Sequence, residues 1–484
     1  MVIAVDVGTS SVRATVFDDR GEIVAARFHQ VACEPRVVAG GGVEHDPRQL
    51  LDAVVACLDA VQPHPAPAHR GAPLQIAAVV ITTFWHGLCG FGPDGRPITP
   101  IYGWADTRSA GEADLLRAAL DEPAFHARTG CHFHSSYWPS KLRWLARESP
   151  TEFRRVAHWG SMAEVLEQAF FGQARTSISL ASGTGLFDQA RADWDTESLA
   201  VAGIERHHLF PLADIDEVRH DLRPPFSSHW PALRSAAWLP AVADGAASNI
   251  GSGCIDRTRI ALNLGTSAAM RIVTAPGAPA PRGLWRYRLD RRRALIGGAT
   301  SEGGNVWAWC RETLRLPDDD GAIEGALAAY APGGLVALPF LAGERAPGWR
   351  GNKRAALARL SLDTTALDIT AAMLDAVALR LALIYELLAP CAAADAPIIA
   401  SGGGIARSRA WTQMIADAIG RPVIRSDITE ATSRGAALLA LEVLGAGELS
   451  GRTVPSGETL VPDAARHARA REALAQQRAL DDRL

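Results

Sequence analysis

Two short segments of this chain have residue types and spacing suited to holding phosphate. Ala4-Val5-Asp6-Val7-Gly8-Thr9-Ser10-Ser11 stands near the start, and Ala261-Leu262-Asn263-Leu264-Gly265-Thr266-Ser267-Ala268 recurs far downstream. In each, an apolar run of β type ends in a polar Asp or Asn, then Gly-Thr-Ser, then a second apolar run, over 12–17 and 269–274. A hairpin turn of this kind leaves backbone N–H groups and small hydroxyls uncovered, so that successive N–H dipoles converge on an anion. One Gly-Thr-Ser after a strand is an ordinary turn. The same neighbours in the same order twice point instead to two similar lobes closing on one nucleotide. A third glycine turn, Ser401-Gly402-Gly403-Gly404-Ile405, follows the apolar run 397–400.

Phosphoryl transfer needs anion cradles, a metal anchor and a base for the attacking hydroxyl. Asp6 directly precedes the first cradle, where a carboxylate holds Mg²⁺ through water or simply caps the turn. The base candidate is Asp244, in Pro240-Ala241-Val242-Ala243-Asp244-Gly245-Ala246-Ala247-Ser248. An Asp at a helix start is ordinarily an N-cap, but this one falls shortly before the second cradle, where it can take a proton from a sugar hydroxyl. An acceptor pocket is expected from Thr83-Phe84-Trp85-His86-Gly87 and Gly103-Trp104-Ala105-Asp106-Thr107-Arg108. Aromatic faces stack on sugar C–H groups, while His, Asp and Arg answer hydroxyls. The competing reading makes Trp85 and Trp104 core aromatics and His86 a satisfied buried histidine; both clusters end apolar runs and open loops, where function concentrates.

The elements that position these groups follow from periodicity. Strands are expected over 2–7, 12–18 and 22–30, a helix over 47–60, a Pro/His/Ala-rich connection over 63–73 and a buried strand over 76–82. Helical stretches follow near 109–128, 138–149 and 161–171. A Pro-dotted stretch over 211–240 reads as the passage between halves. The second half repeats strand-turn-strand from Arg259 and adds Ala/Leu-rich helices over 366–389 and 408–419. The expected organisation is a domain over 1–240, a second over 241–445, and a tail over 446–484 forming a peripheral helix. The fold class is α/β, and the duplicated hairpin places each half, by analogy, with actin-like, ribonuclease-H-like domains flanking a cleft.

The 484 residues are too many for one core and suggest two domains. A 48% hydrophobic content and a net charge of −4 describe a globular chain without a basic footprint for nucleic acid. No apolar run reaches membrane-spanning length. The strand expected at the start leaves no room for a signal peptide, and the seven cysteines have no Cys-x-x-Cys spacing, so a reducing cytoplasm is the expected compartment.

At this point the residues resemble the FGGY family of carbohydrate kinases, over residues 1 to about 445. Asp6-Val-Gly8-Thr9-Ser10-Ser-Val-Arg13 resembles that family's N-terminal phosphate motif, and Glu44-His45-Asp46-Pro47 its Glu-Gln-Asp-Pro. Trp85-His86-Gly87 is similar to its Met-His-Gly loop, Trp104-Ala-Asp106-Thr-Arg108 to its Trp-x-Asp-x-Arg, and Lys141-Leu-Arg-Trp144-Leu to its first signature. Further on, Asp244-Gly245 resembles the catalytic segment, Gly265-Thr266-Ser267 the second phosphate motif, and Gly343-Glu344-Arg345-Ala-Pro347 the Gly-Glu-Arg-x-Pro stretch. Gly402-Gly403-Gly404 with Trp411-x-x-Met414-x-Ala416-Asp417, then Glu430-Ala-Thr-Ser-Arg-Gly435-Ala436-Ala437, resemble the adenosine motif. The departures are Gly42 where an aromatic is usual, Trp138 where a small residue is normal, and Ser361 for the glycine of the second signature.

The resemblance implies a kinase using ATP and Mg²⁺, with Asp244 as base and Asp6 as metal anchor. Gly8, Thr9, Ser10, Arg13, Gly265, Thr266, Ser267, Gly402, Gly403 and Gly404 would surround ATP. Trp85, His86, Trp104 and Asp106, with Asp244, would surround a small sugar or sugar acid. The stretches 128–141 and 179–188 look closer to gluconate kinases, and Phe84-Trp85-His86 lacks the Gln-Met-His of xylulose kinases. Gluconate is therefore expected ahead of xylulose or another ketose or polyol. Lys141, one of only two lysines, or Arg108 could answer its carboxylate; as structural groups, Lys141 would serve its helix and Arg108 would pair with Glu112. Neither nucleic acid nor membrane is an expected partner, and a homodimer is left open. The rival class, an actin-like ATPase without an acceptor, would lack the sugar loops and the Asp244 segment.

Overall fold

Alternation of small and branched apolar residues builds the first sheet. The computed structural model describes residues 1–62, 75–452 and 456–484; the connection expected over 63–73 lies outside the described residues. Val2–Val7, Ser11–Phe17 and Ile23–Ala32 form an antiparallel meander. Ala78–Thr83 lies parallel to Val2–Val7 on its other side. Ala237–Trp238 and Val242–Ala243 then pair in parallel with Ala78–Thr83. The stretch 211–240 thus ends on the first sheet rather than between the halves, because its last residues satisfy the backbone of that edge. Ile3, Val5, Val79 and Ile81 face the helix Pro47–Val61, while Val2, Ala4, Ala78 and Val80 face a core shared with the second half. Period-two alternation buries both faces.

The second sheet repeats the plan. Ala294–Thr300, Ala268–Thr274 and Ile260–Leu264 run antiparallel, and Ile398–Ser401 then Val423–Ser426 follow in parallel. Trp285–Arg288 and Gly457–Leu460 close its two edges. This is the doubled actin-like, ribonuclease-H-like α/β arrangement. The long helix Ala366–Leu388 packs on this sheet and is buried along most of its length.

The helix expected near 109–128 is two helices, Ala110–Ala119 and Glu122–Thr129. Asp121 caps the second by accepting from the Ala124 N–H, and Pro123 sits in its first turn, where no N–H is needed. The tail holds more than a peripheral helix: Gly457–Leu460 edges the second sheet, and Ala464–Asp481 packs against Arg409–Ile419 and Ala366–Leu388.

The halves meet where the helix Asp244–Gly251 crosses the helix Ala431–Val443, which also lies on Val2–Val7 and Ala78–Thr83. Backbone touches backbone there. A Cβ on Gly251 would stand 1.8 Å from the Ala431 carbonyl oxygen, and one on Gly435 1.8 Å from that of Ala247. Gly435→Ala is therefore expected to cost at least about 1–3 kcal/mol and to lower Tm in a thermal melt. Gly111→Ala, at an open position of a surface helix, should leave Tm unchanged or raise it.

Candidate active site

The register of the first sheet brings separated motifs to one edge. Val7 lies opposite Thr83, and Thr83 opposite Ala243. Gly8, Phe84 and Asp244 therefore leave the carboxyl ends of neighbouring parallel strands, where open α/β sheets bind ligands. Asp6 sits beside Thr82 and its Oδ1 accepts from the Thr82 hydroxyl at 2.7 Å. Oδ2 accepts no hydrogen bond among the described residues. Burial pushes the Asp6 carboxyl up, against the pull of Thr82 and Arg13. Asp244 Oδ1 accepts from the Gly245 N–H at 2.6 Å. Burial, with the Asp6 charge adding to it, pushes Asp244 up to about 6, and Arg271 opposes the rise. Arg13 stands opposite Asp6 in the hairpin and pairs with Glu430 at 3.6 Å.

The two hairpin turns share a closing bond but differ in length. Gly8 donates to the Ser11 carbonyl at 3.0 Å, and Gly265 to that of Ser267 at 3.0 Å. The first turn thus holds one more residue than the second. The N–H groups of Thr9, Ser10, Thr266 and Ser267 donate to nothing among the described residues, a set of donors of the kind that can answer an anion. The second turn is braced from behind, where Gly304 N donates to the Gly265 carbonyl at 2.7 Å and Asn305 N to that of Thr266 at 3.1 Å. In the third glycine turn, Gly402 has φ +102° and its Cβ position lies 2.7 Å from the Leu264 carbonyl oxygen. Gly402 and Gly404 thus have a packing reason against Leu264, whereas Gly403 meets only the flexible end of Arg407.

Between the halves lies a cavity of about 70 Å³ lined by Phe84, Trp85, His86, Trp104, Asp244, Ser267, Ala269, Arg271, Trp285, Tyr287, Ala299 and Arg345. Trp85 donates to the Ser179 carbonyl at 3.0 Å and packs on Trp285 and Tyr287, which stack on each other at 4.1 Å. His86, with φ +69°, donates from Nδ1 to the Gly183 carbonyl at 2.7 Å and offers Nε2 to the Arg345 guanidinium at 3.4 Å. Burial holds His86 well below the ordinary histidine range, so the ring is neutral. The Arg345 guanidinium also lies over Trp104, 5.4 Å from the ring centre. A second cavity, of about 220 Å³, is lined by Gly304, Trp307, Arg311, Leu374, Gly404, Arg407, Trp411 and their neighbours. The turn Gly265–Ser267 stands between the two, contributing Ser267 to one and bracing Gly304 of the other.

Asp106 is not brought to the cavity. Its carboxylate is held by Arg108 at 2.5 Å and accepts from the Val43 N–H at 3.3 Å. Arg108 also binds Glu44 at 2.8 Å and lies over the Trp144 ring, 4.6 Å from its centre. Glu112, its expected partner, binds Arg143 and Arg147 instead. Lys141 is buried, and its Nζ donates to the carbonyls of His86 at 2.8 Å, Tyr102 at 3.2 Å and Gly103 at 2.8 Å. Burial pushes it down to about 7.

Arg271 and Arg345 are the cations that face the cavity, and neither is among the expected site residues. Arg271 Nε and Nη1 and Arg345 Nε are buried without hydrogen-bond partners, and no carboxylate lies within ion-pair distance of either guanidinium among the described residues. Burial pushes Arg271 down to about 10, with Asp244 opposing. A signal for it existed, because Ser267, Ala269 and Arg271 alternate in step with the pleat of the strand Ala268–Thr274 and all line the cavity. Trp285 and Tyr287 do the same on their strand.

Comparison with known proteins follows this geometry. The model of the FGGY family of carbohydrate kinases matches with its N-terminal domain over residues 1–251 and its C-terminal domain over 260–442. A gluconokinase of Bacillus subtilis (strain 168) is 26% identical over 458 residues, covering 92% of this chain and 88% of that protein. A gluconate kinase structure from Lactobacillus acidophilus superposes with a TM-score of 0.88 at 24% identity, covering 100% of this chain and 98% of its own. A ligand-bound xylulose kinase from the same organism gives the same TM-score, identity and coverage.

Lys141→Met removes a buried donor from three carbonyls. The variant is expected to lose at least about 1–3 kcal/mol, the cost of one buried acceptor left unsatisfied, read as a fall in Tm. An unchanged Tm would show that these carbonyls find other donors.

Proposed function

This chain belongs to the FGGY family of carbohydrate kinases, and on that premise we propose that it transfers the γ-phosphate of ATP to a hydroxyl of an open-chain sugar acid of the gluconate class. The observation that favours an acid is the charge balance of the cavity. Two guanidiniums, Arg271 and Arg345, face one carboxylate, Asp244, and a neutral His86. An acceptor bearing one carboxylate completes that balance, whereas a neutral ketose leaves a buried positive charge uncompensated. The gluconokinase relative supports the same choice.

The acceptor lies among Trp85, Trp104, Trp285 and Tyr287, whose faces cover its carbon chain. Asp244 takes the proton from the attacking hydroxyl as its oxygen bonds to the γ-phosphorus and the bond to ADP breaks. The N–H groups of Thr9, Ser10, Thr266 and Ser267 donate to the phosphate oxygens as charge moves among them. The larger cavity beside Gly404, with Trp307 and Trp411, takes the adenosine. Asp6 fits Mg²⁺, having one carboxylate oxygen free and no competing cluster of three ligating side chains among the described residues. When bound there, Mg²⁺ neutralises phosphate charge. No helix among the described residues is long and apolar enough to cross a membrane.

The test is a coupled ADP-release assay with Mg-ATP across gluconate, xylulose, ribulose and glycerol. Gluconate is expected to give the highest kcat/KM, and xylulose turned over in preference would replace the acid by a ketose. Asp244→Ala should lower kcat by about 10²–10⁴-fold. Arg345→Met should lower kcat/KM for gluconate about 10- to 100-fold, the worth of one charged hydrogen bond, and spare neutral acceptors. With Asp244 at about 6 and active when ionised, kcat/KM should be flat above that pH and fall tenfold per unit below it. A profile unchanged to pH 4.5 would remove Asp244 as the base.

A further inference from the structure

The family match ends at residue 442, yet the last helix reaches the loop that delivers Arg345 to the acceptor cavity. That loop closes on itself, with Glu344 N donating to the Arg350 carbonyl at 3.1 Å and Trp349 N to that of Arg345 at 2.7 Å. Glu344 and Arg345 are adjacent but serve different surroundings. Arg345 lines the cavity, whereas Glu344 is buried against Arg350, at 2.6 Å, and Arg380. The same two arginines meet Asp481, from the last turn of Ala464–Asp481: Arg350 binds it directly and Arg380 stands 3.8 Å away. Lys353, at the far end of the loop, lies 3.2 Å from the Asp481 carboxylate and donates to its backbone carbonyl at 2.8 Å.

We propose that the C-terminal helix is a strut for the acceptor site, in which Asp481 is a positioning residue that fixes Arg345 through Arg350, Lys353 and Glu344. The assignment rests on the reading of the cavity as the acceptor site. Its basis is charge. Three cations, Arg350, Arg380 and Lys353, converge on two carboxylates, and all but Arg350 are largely enclosed. Without Asp481, Lys353 loses its carboxylate and Glu344 alone answers Arg350 and the buried Arg380. Glu302, the other carboxyl buried nearby, is pushed up to about 8 by burial and so does not supply the missing charge at neutral pH. Arg350 and Lys353 lie on the loop itself, so their release toward solvent loosens the turn that carries Arg345. The helix has other anchors: Gln477 donates to the carbonyls of Ala337 at 3.0 Å and Ala376 at 3.3 Å, and Arg466 binds Asp417 at 2.8 Å. Loss of Asp481 alone therefore leaves the helix docked.

The test is a double-mutant cycle in the full chain, using gluconate or whichever acceptor the protein turns over best. Asp481→Asn is expected to raise the acceptor KM about tenfold, with kcat and the KM for ATP changed less than about twofold. In an Arg345→Met background the same substitution should add less than about twofold, because the group it positions is gone. Arg471→Gln, which removes a half-exposed pairing between the C-terminal helix and Glu386 of the helix Ala366–Leu388, should leave every kinetic constant unchanged. An Asp481→Asn effect of equal size in both backgrounds, a parallel loss in both KM values with a lower Tm, or no effect would each overturn the strut. An Arg345→Met protein with unaltered acceptor KM would overturn the reading of the cavity itself.

Discussion

The contact of two glycine backbones, Gly251 and Gly435, is the constraint on which the rest of this molecule depends. It lets the helix beginning at Asp244 and the helix following Glu430 cross without intervening side chains. Because the second helix also rests on Val2–Val7 and Ala78–Thr83, the crossing fixes the second half against the strands that carry Asp6 and Thr83. The distance from Asp244 to the cradles is thereby set by rigid elements rather than by loops, which is what a reaction governed by positioning requires. Around the cavity, side chains join the halves instead. Tyr137 and Tyr287 hydroxyls meet at 2.5 Å, His126 donates to the Leu284 carbonyl at 2.7 Å, and Arg117 to that of Trp349 at 3.0 Å. One side of the cleft is thus joined by packed backbone and the other by hydrogen bonds and aromatic packing between side chains.

The buried cations divide by what answers them. Lys141 and Arg108 are saturated, one by three carbonyls and the other by Asp106 and Glu44. Their charge is consumed in holding the loops that carry His86 and Trp104. Arg271 and Arg345 retain unpartnered N–H groups. In a native structure such groups are rare enough to need an explanation, and an anionic acceptor supplies one. Asp244 feels the same field: Arg271 restrains a rise that burial and Asp6 would carry further, keeping the carboxyl ionised near neutrality.

Much of this was legible from local chemistry. The paired hairpins, Asp6 and Asp244 are local patterns, and apolar runs sufficed to place Val2–Val7, Ser11–Phe17, Ile23–Ala32 and Ala78–Thr83, whereas Trp285–Arg288 and Ala294–Thr300 gave no such signal. The Ser161–Glu164 capping box that starts Met162–Phe171 is likewise a short-range signal. Long-range pairing was not legible. Arg108 finds Glu44 across 64 residues rather than Glu112 on the following helix, because no spacing rule encodes which chain segment folds alongside. Asp106 stood in the right loop yet turned to its own neighbour. Arg271 was readable only once the strand after the second cradle had a known inward face. The pairing of Asp481 with Arg350 was equally unreadable in the tail, because the two residues stand more than a hundred positions apart.

The extra residue in the first hairpin turn breaks the internal likeness of the two halves at the turns proposed to hold phosphate. Two identical cradles would offer a polyphosphate chain equivalent seats at either end, and it could lie between them in either direction. With four residues in one turn and three in the other, and the larger cavity only beside the second, the two seats are chemically distinct. The duplicated fold thereby acquires polarity: on the proposed reading of the site, a triphosphate would have one productive heading, with its terminal phosphorus toward Asp244.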